Sequence, residues 1–388
     1  MRITDVQVAC LGFQRTVPSR FYRSYALVKV STDAGIIGWG ESSDGYSHSM
    51  ATAVKAVVED EIARLVIGAD PTFPQGLATR LKSFLYRTTN NLGIVSHAIA
   101  GVEIACWDIL GKVLQLPVAR LLGQQRDRIP IYASGTLTFD HTPDWYGPFF
   151  DDFLARGVRA VKVRIGKQFD WDVEVVRRTR EYLGPDVELL VDAKYNYSVS
   201  SALRLLEAVQ PARIHLLEEP IPPHDLDGMA RLVAATSTPI AYGESLTRLH
   251  DFRVLVERRA ANVLEPDATI ACGFHECLKI AALAEAWNLP ICPHSGGLSA
   301  IGIAANLHLA AALPNLTTIE YDAAPEQPLR DAITLHPGFG PDQIVDGCLC
   351  VPDGPGLGVE VDESAFAEFA YQPRRAEWEN PGYGEPHV

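Results

Sequence analysis

The pattern of apolar and polar positions differs between two parts of the chain, and it changes near residue 129. Before that point, three short apolar or alternating segments predict an antiparallel β meander, with residues 32–35 as a hairpin turn. Three longer stretches then show the period of amphipathic helices. The predicted strands are 2–11, 21–31 and 36–42, and the predicted helices are 47–66, 75–87 and 95–114. We interpret this part as an α+β unit in which the segment from Arg15 to Arg23 forms a loop.

From Ile129 onward, short β-rich apolar runs alternate with amphipathic helical stretches, a pattern typical of repeated β/α units. The runs are 129–133, 159–163, 187–191, 214–217, 239–242, 262–264, 290–292 and 317–319. The helical stretches are 144–156, 170–183, 198–209, 225–235, 248–259, 273–287 and 297–312. Seven helices joining eight strands predict an α/β chain with a (β/α)₈ barrel, complete or with its last helix reduced or replaced.

The chain after Tyr321 is irregular and rich in proline, and we expect its last part to pack back on the first unit. The predicted organisation is a capping domain over 1–125 completed by 345–388, and a barrel over 126–344. No low-complexity linker separates the two domains.

Three of the apolar runs end in an acid, and the acids are evenly spaced. Asp192, Glu218 and Glu244 are each 26 residues apart, which is about the length of one β/α unit. Equal spacing places three carboxylates at the same height on adjacent strands, at the end where such barrels carry their chemistry. Their mutual repulsion would be removed by a divalent cation, and all-oxygen ligation suits Mg²⁺. The alternative is that they are unrelated acids in strand-end loops. Their equal spacing makes this the weaker interpretation.

A second pair of side chains shares this spacing. Asp267 follows the sixth predicted strand and His294 follows the seventh, 27 residues later. An Asp that accepts a hydrogen bond from one imidazole nitrogen fixes the tautomer and raises the basicity of the other nitrogen. The alternative is a loop histidine satisfied by the backbone, and the register with Asp267 favours catalysis instead.

The charge and composition of the chain argue against some classes of protein, namely those that bind nucleic acid or membranes. The chain has a formal net charge of −14 and no basic stretch, so we expect no binding to nucleic acid. Its apolar stretches are interrupted by polar residues and its first residues lack the apolar core of a signal peptide, so we expect no membrane association. Seven scattered cysteines, without a Cys-x-x-Cys pair, fit reduced thiols in the cytoplasm.

Taken in order, these motifs resemble those of the enolase superfamily, mandelate racemase subgroup. The resemblance covers nearly the whole chain, and the order and spacing of the motifs carry it rather than any one of them. In the first domain the matching stretches are Gly38-Trp39-Gly40-Glu41, Trp107 to Lys112, Leu116-Pro117-Val118 and Leu121-Leu122-Gly123. In the barrel they are Lys162-Val163-Arg164, Val191-Asp192-Ala193, Glu218-Glu219-Pro220, Gly243-Glu244, Pro266-Asp267 and His294.

The resemblance implies a capping domain that closes the barrel mouth and Mg²⁺ held by Asp192, Glu218 and Glu244. It also implies that Glu320 hydrogen-bonds the substrate carboxylate, although an exposed strand-end acid is an equally good interpretation. Glu219 matches a position that varies between Glu and Gln, and on a strand its side chain should point away from the metal. A Lys or His base with Mg²⁺ is the known device of this superfamily.

Two residues depart from the family pattern. Lys162 and Arg164 alternate onto the barrel interior, where the family most often has two lysines, the second acting as a base. Arg164 is a poor base because its guanidinium stays protonated, but it can stabilise a carboxylate, and we consider an internal salt bridge the weaker interpretation. Lys194 stands where the family often has Asn, and it could reach either the metal-ligand carboxylates or the substrate.

The loops of the first domain should select the far end of the substrate. The candidates are Arg20, Tyr22, Arg23, Tyr46 and His48, and we expect at least half of them to be ordinary surface residues.

These observations predict a Mg²⁺-dependent dehydratase of sugar acids. His294 would abstract the C2 proton to give an ene-diolate stabilised by the metal and a cationic side chain, and loss of the C3 hydroxyl would leave a 2-keto-3-deoxy acid. A racemase or epimerase is the first alternative, weakened because Arg164 leaves one face without a good base. A non-catalytic metal-binding barrel is the second, and it would not need the Asp267–His294 pair. The family tendency also predicts a homo-oligomer.

Overall fold

The structure is a computed structural model that describes residues 1–16, 21–43, 50–89, 93–134 and 143–372. The N-terminal unit contains a three-stranded antiparallel sheet in the order β1-β2-β3, followed by helices. Its strands are β1 (Ile3–Arg15), β2 (Phe21–Thr32) and β3 (Ile37–Ser42). Its helices are α1 (Ala51–Ala56), continued through a π-helical turn (Val57–Ile62) into α2 (Ala63–Val66), then α3 (Pro74–Thr89), α4 (Gly93–Leu114) and α5 (Val118–Leu122). The α+β interpretation of this unit is confirmed.

Helix α4 packs directly on strand β3 because two glycines leave room for it. A Cβ at Gly40 would lie 2.0 Å from the carbonyl oxygen of Gly101, and one at Gly38 would lie 2.1 Å from that of Ala105. Within the described residues, α4 is the one helix long and apolar enough to cross a membrane, yet 72% of its apolar window is buried in the protein. Packing against the sheet thus accounts for its apolar composition.

Strand β1 runs four residues further than predicted, to Arg15, whereas β2 begins at residue 21 as predicted. Arg15 pairs with Phe21 and Phe13 pairs with Arg23, so the loop predicted over Arg15 to Arg23 is too long. Cross-strand pairing continues to the end of both strands, and the rings of Phe13 and Tyr25 stack at 6.3 Å. Tyr22 and Arg23 therefore lie in a strand, which fixes the direction of their side chains.

The second unit is a barrel of parallel strands. Its strands are β4 (Arg128–Ser134), β5 (Ala160–Arg164), β6 (Glu188–Asp192), β7 (Leu216–Glu218), β8 (Ile240–Tyr242), β9 (Val263–Leu264) and β10 (Ile319–Asp322). The sheet has the order β10-β4-β5-β6-β7-β8-β9. The predicted strand at 290–292 is reduced to Ile291, which forms parallel bridges with Leu264 on one side and Leu316 on the other. Ile291 thereby joins β9 to the segment that leads into β10.

Helices α6 to α12 connect these strands. They are α6 (Pro143–Ala155), α7 (Phe169–Leu183), α8 (Val199–Ala208), α9 (Leu226–Ala235), α10 (Leu249–Glu257), α11 (Phe274–Ala286) and α12 (Ala300–Ala312). The inner layer of the barrel includes Tyr132, Leu190, Leu216, Val263 and Cys292, and the larger apolar cluster lies between strands and helices. Alternate residues of each strand face these two layers, as a (β/α)₈ barrel requires.

After β10 a short helix, α13 (Pro328–Asp331), stands where an eighth barrel helix would be, so the expectation of a reduced last helix is confirmed. The remaining strands are β11 (Thr334–His336), β12 (Cys348–Cys350) and β13 (Glu360–Val361), of which β12 pairs antiparallel with β4. The tail then lies against the N-terminal unit: Gly12 donates to the carbonyl of Phe369, and Lys29 forms an ion pair with Glu363 at 2.6 Å.

Candidate functional site

The three predicted metal ligands lie at the same end of three neighbouring strands. Asp192 ends β6 and Glu218 ends β7, and the two are direct partners in the parallel register. Glu244 follows β8 after Gly243, whose backbone is in the left-handed region with φ of 123°. All three side chains are almost completely buried. Buried carboxylates must be compensated by positive charge or hydrogen bonds, so their partners decide the character of the site.

Each of these acids contacts a cationic side chain. Arg164 lies 2.6 Å from Asp192, Lys162 lies 2.7 and 2.8 Å from the two oxygens of Glu218, and Lys194 contacts Oε1 of Glu244. Burial raises the pKa of the Asp192 carboxyl, but Arg164, Lys162 and Lys194 outweigh burial and hold it below its ordinary value. Burial dominates at Glu218, whose pKa is raised.

Residues inside the barrel hold the side chain of Lys162 in place. Besides Glu218, its ammonium lies 3.0 Å from Oε1 of Glu320 and 5.2 Å from the centre of the Tyr132 ring. Burial lowers the pKa of Lys162, and the carboxylates of Glu218 and Glu320 more than reverse that effect and raise it. A lysine held in this way stays charged and supplies a fixed positive charge beneath the site.

Arg164 differs from our expectation. The salt bridge to a barrel acid, which we considered the weaker interpretation, is present because Arg164 and Asp192 are direct partners in the register of β5 and β6. Asp192 is fully buried and needs a positive neighbour, whereas the Arg164 side chain remains 23% exposed at the barrel mouth. The guanidinium is thus both a counter-ion of Asp192 and accessible from the barrel mouth.

Lys194 lies in a turn after β6 with φ of 44°, a left-handed conformation that is unusual for a long side chain. Its backbone N–H donates to Oδ1 of Asp192 at 2.9 Å, and its side chain crosses to Glu244. Burial lowers the pKa of Lys194 to about 8 even though Asp192 raises it. Of the two possibilities left open by the sequence, the structure shows the contact with a predicted metal ligand.

Asp267 and His294 form the predicted pair. Oδ2 of Asp267 lies 2.9 Å from Nδ1 of His294, and both side chains are buried. The other oxygen of Asp267 accepts from the backbone and hydroxyl of Thr269 and from Asn306, at 2.8 to 3.0 Å. Since Asp267 is held on both sides, it can orient the ring so that Nε2 faces the barrel mouth.

Nε2 of His294 faces two acids: it is 3.6 Å from Oε2 of Glu244 and 3.5 Å from Oε2 of Glu320. Glu320 lies inside strand β10 and accepts a hydrogen bond from the backbone of Ser295. Burial raises the pKa of Glu320, but Lys162 and His294 reverse this and bring it well below its ordinary value. The structure thus brings together Lys162, Glu218, Glu244, His294 and Glu320 in one connected group.

Two buried acids complete the surroundings of this group. Strand β7 ends at Glu218, so Glu219 is not on the strand as expected; its backbone is left-handed, and its side chain accepts from Gly243 at 3.0 Å. Glu265 was not predicted. It is buried, burial and Glu218 raise its pKa well above the ordinary value, and Oε2 has no hydrogen-bond partner within the described chain. Its period-two spacing from Asp267 was a signal that could have identified it.

The cap reaches the site through residues 23–25 and 41–43. These residues and the loop after His294 enclose a cavity of about 30 Å³ that Arg23, Glu41, His294 and Gly297 help to line. Arg23 is held there by Asp322 at 3.1 Å.

Tyr22 is not among the described residues that line this cavity, and its role as a substrate contact stays a prediction. Its hydroxyl accepts from the backbone of Gln372, and its ring lies 6.0 Å from that of Tyr371. Strand alternation directs it to the tail while Arg23 faces the barrel. Arg20, Tyr46 and His48, the other predicted cap residues, lie outside the described residues.

The predicted ligands fit Mg²⁺ in kind, because three carboxylates at adjacent strand ends offer only oxygen donors. In the part of the chain that the structure describes, no three or more acid, histidine or cysteine side chains are grouped as a formed metal site. Asp192, Glu218 and Glu244 are instead each directed toward their own cation.

Comparison with known proteins gives matches along nearly the whole chain. Residues 1–123 match the family described as "Mandelate racemase / muconate lactonizing enzyme, N-terminal domain", and residues 149–365 match "Enolase C-terminal domain-like". The D-galactarolactone cycloisomerase of Agrobacterium fabrum is 32% identical, with 95% of this chain and 99% of that protein covered. The D-galactonate dehydratase of Xanthomonas oryzae pv. oryzae is also 32% identical, covering 92% of this chain and 93% of that protein. Among solved structures, a racemase from Streptomyces coelicolor A3(2) with bound magnesium has a TM-score of 0.84 and 29% identity, and covers 95% of this chain and 100% of its own.

Proposed function

Because the chain belongs to the enolase superfamily, we propose that it is a Mg²⁺-dependent dehydratase of sugar acids, aldonic or aldaric. It would remove the proton from C2 and the hydroxyl from C3, releasing water, and the resulting enol would become a 2-keto-3-deoxy acid. The observation that supports this proposal most is the Asp267–His294 hydrogen bond of 2.9 Å beside the acids of three barrel strands.

We assign Asp192, Glu218 and Glu244 as the residues that would hold Mg²⁺. When bound, the ion supplies positive charge that offsets the negative charge developing on the substrate carboxylate as C2 is deprotonated. A similar solved structure, a racemase from Streptomyces coelicolor A3(2), contains bound magnesium, and this supports the assignment, as do the all-oxygen donors.

His294 is the base in this proposal. Asp267 occupies Nδ1, so Nε2 is the nitrogen that takes the C2 proton, and Asp267 stabilises the imidazolium that forms. The imidazolium can then return its proton to the C3 hydroxyl as it leaves, if that group lies on the same side of the substrate. This is a syn elimination by a single residue.

Lys162 and Arg164 supply positive charge rather than basicity. Lys162 is held charged by Glu218 and Glu320, and Arg164 keeps its guanidinium protonated at any ordinary pH. Both can bind the substrate carboxylate, and Arg164 is the more accessible of the two. A racemase needs a base on each face of C2, and an arginine on the second face favours dehydration over racemisation.

The decisive experiment is to incubate the protein and MgCl₂ with a library of aldonic and aldaric acids and to assay 2-keto acids. We expect at least one acid to give product, and Glu218→Gln and Glu244→Gln to lose both the activity and the Mg²⁺ binding measured by calorimetry. Glu188→Gln is the matched control, since Glu188 is an exposed acid at the opposite end of strand β6. Unchanged Mg²⁺ affinity in both site variants would refute the metal assignment.

A cycloisomerase is the second candidate, because a relative with that name is as similar as the dehydratase. Its reaction could begin with the same proton transfer by His294. The library should therefore include sugar-acid lactones, with NMR in D₂O to separate lactone opening from dehydration. Recovery of substrate with inverted C2 would instead indicate that Arg164 acts as a base, contrary to our proposal.

We also propose, from composition and family resemblance, that the enzyme works in the cytoplasm as a homo-oligomer on a free small-molecule acid, without nucleic acid or membrane.

A further inference from the structure

The three cations that face the predicted metal ligands are not equivalent. Lys162 is anchored independently of Glu218 by Glu320 and Tyr132. Arg164 lies at the exposed mouth and contacts the acid directly opposite it on the neighbouring strand. Lys194 is buried, its ammonium contacts Glu244, and its backbone N–H donates to Asp192. It thus contacts two of the three predicted ligands, and its ammonium occupies the side of Glu244 that a divalent ion shared by these acids would need.

The backbone that carries Lys194 is held in place. Ala193 donates to the carbonyl of Glu218, Tyr195 donates to that of Glu219, and Lys194 itself donates to Asp192. These bonds tie the turn to strand β7 and to a predicted ligand, so only the side chain of Lys194 can change position.

The ammonium that contacts Glu244 also lies over an aromatic ring. Nζ of Lys194 is 5.4 Å from the centre of the Tyr195 ring, and the Tyr195 hydroxyl is hydrogen-bonded to Ser245 at 2.7 Å. The face of an aromatic ring attracts a cation through its quadrupole. The ammonium can therefore leave Glu244 without leaving the site.

We propose that Lys194 is a built-in counter-ion that competes with Mg²⁺ for Glu244, and that metal binding displaces its ammonium toward Tyr195. The inference rests on the proposed Mg²⁺ site and adds a positioning role for Lys194 toward it. Two positive groups cannot share one carboxylate oxygen at contact distance without strong repulsion. The ion pair therefore neutralises the site before the metal binds, at the expense of metal affinity.

The test compares Mg²⁺ binding and stability in wild type, Lys194→Met, Lys194→Gln and Lys194→Arg, each stripped with EDTA and dialysed. Calorimetric titration with MgCl₂ should show the two neutral variants binding Mg²⁺ about 10-fold more tightly or better than wild type. Lys194→Arg keeps the charge and should bind no more tightly than wild type. In EDTA the neutral variants should melt at lower temperature than wild type, and saturating Mg²⁺ should raise their Tm by more.

Lys82→Met is the matched control, since Lys82 forms a comparable ion pair with Glu276 on helix α11, apart from the predicted ligands. It should leave Mg²⁺ affinity unchanged. Equal or weaker Mg²⁺ binding by both neutral Lys194 variants, with wild type binding normally, would overturn the inference alone. Failure of wild type and all variants to bind Mg²⁺ would overturn the proposed metal site, and the inference with it. Competition predicts a higher Mg²⁺ affinity together with a lower Tm in EDTA. A merely structural role of Lys194 would instead lower both the stability and the affinity.

Discussion

Two groups of buried acids lie within this molecule, and they are neutralised in different ways. At the barrel mouth, Asp192, Glu218 and Glu244 contact the charged ends of long cationic side chains. At the junction between cap and barrel, Glu103 accepts from the backbone of Phe274 and His275 and from the Trp107 indole.

Glu41 is a second junction acid of this kind. It lies in the cap and accepts from the backbone of Ser299 and Gly302 in the barrel. Backbone donors cannot leave without unfolding, whereas an ammonium or guanidinium can rotate away. The difference indicates that the junction acids join the two domains and that the mouth acids can exchange partners.

The largest difference between the mouth and the junction should be the loss of turnover in His294→Asn, at the mouth. This substitution removes the proposed base while preserving much of the shape, so turnover should fall by about 10³-fold or more. Folding stability and Mg²⁺ affinity should remain close to wild type. The measurement is single-turnover exchange of the C2 proton in D₂O on an accepted sugar acid. Exchange at the wild-type rate would place the base elsewhere, with Lys162 or Lys194 as candidates.

Asp267→Asn should have a smaller effect on the same measurement. The amide can present an N–H to Nδ1 of His294 and so favour the wrong tautomer, which should reduce exchange by about 10²- to 10³-fold. The contacts of the other oxygen with Thr269 and Asn306 should preserve the fold. A loss greater than that of His294→Asn would mean that Asp267 acts on more than the histidine.

At the junction, Glu103→Leu should reduce stability instead of chemistry. It leaves the donors of Phe274, His275 and Trp107 without their acceptor, which should cost about 3 kcal/mol in the free energy of unfolding. Urea unfolding followed by tryptophan fluorescence measures this. Glu257→Gln is the control, because its ion pair with Arg253 is exposed and should contribute about 0.5 kcal/mol at most. Loss of Mg²⁺ affinity in folded Glu103→Leu would contradict the separation of roles.

The smallest effect should be in the pH dependence of stability, where Glu41 at the junction and Asp192 at the mouth have opposite signs. Burial raises the pKa of Glu41 from its ordinary 4.5 to about 7 in spite of the hydrogen bonds from Ser299. The native state then binds more protons than the unfolded state between these values, so this contribution to stability is full below pH 4.5 and is lost as pH rises through 7. Asp192 has a lowered pKa, and its contribution is lost only as pH falls below 3.8.

The variant Glu41→Gln tests whether the contribution of Glu41 to stability falls as the pH rises. The stability advantage of wild type over Glu41→Gln should decrease by about 1–3 kcal/mol between pH 5 and pH 8, measured by urea unfolding at each pH. An advantage that grows with pH would mean that Glu41 is ionised throughout and that the donors around it outweigh burial.

The positions of the site residues were predictable because strand ends in a β/α barrel recur at nearly fixed spacing. Asp192, Glu218, Asp267 and His294 follow directly from that regularity, and their neighbours in the structure agree with it. The register itself gave the Arg164–Asp192 contact, but we discounted it because we assigned Asp192 to the metal alone.

Other features depended on contacts that local pattern does not encode. Tyr22 looked like a loop residue near Pro18 and Ser19, yet β1 continues to Arg15 and pairs with β2 as far as Phe21. Glu265 was not predicted, although its alternation with Asp267 places it inside the barrel. The reduction of the seventh strand to Ile291 is set by the neighbours it bridges and not by its own apolar run.

The tail that returns to the cap has a consequence for how the chain is made. The free edge of β1 is covered where Leu11 bridges Ala370, and Tyr22 accepts from a backbone amide 350 positions later in the chain. Until the ribosome has synthesised those residues, the cap presents an open strand edge of the kind that associates with other unfinished chains. A ribosome that pauses within the barrel would prolong this interval, so synthesis speed over the barrel, far from the cap, should influence how much of the protein aggregates in the cell.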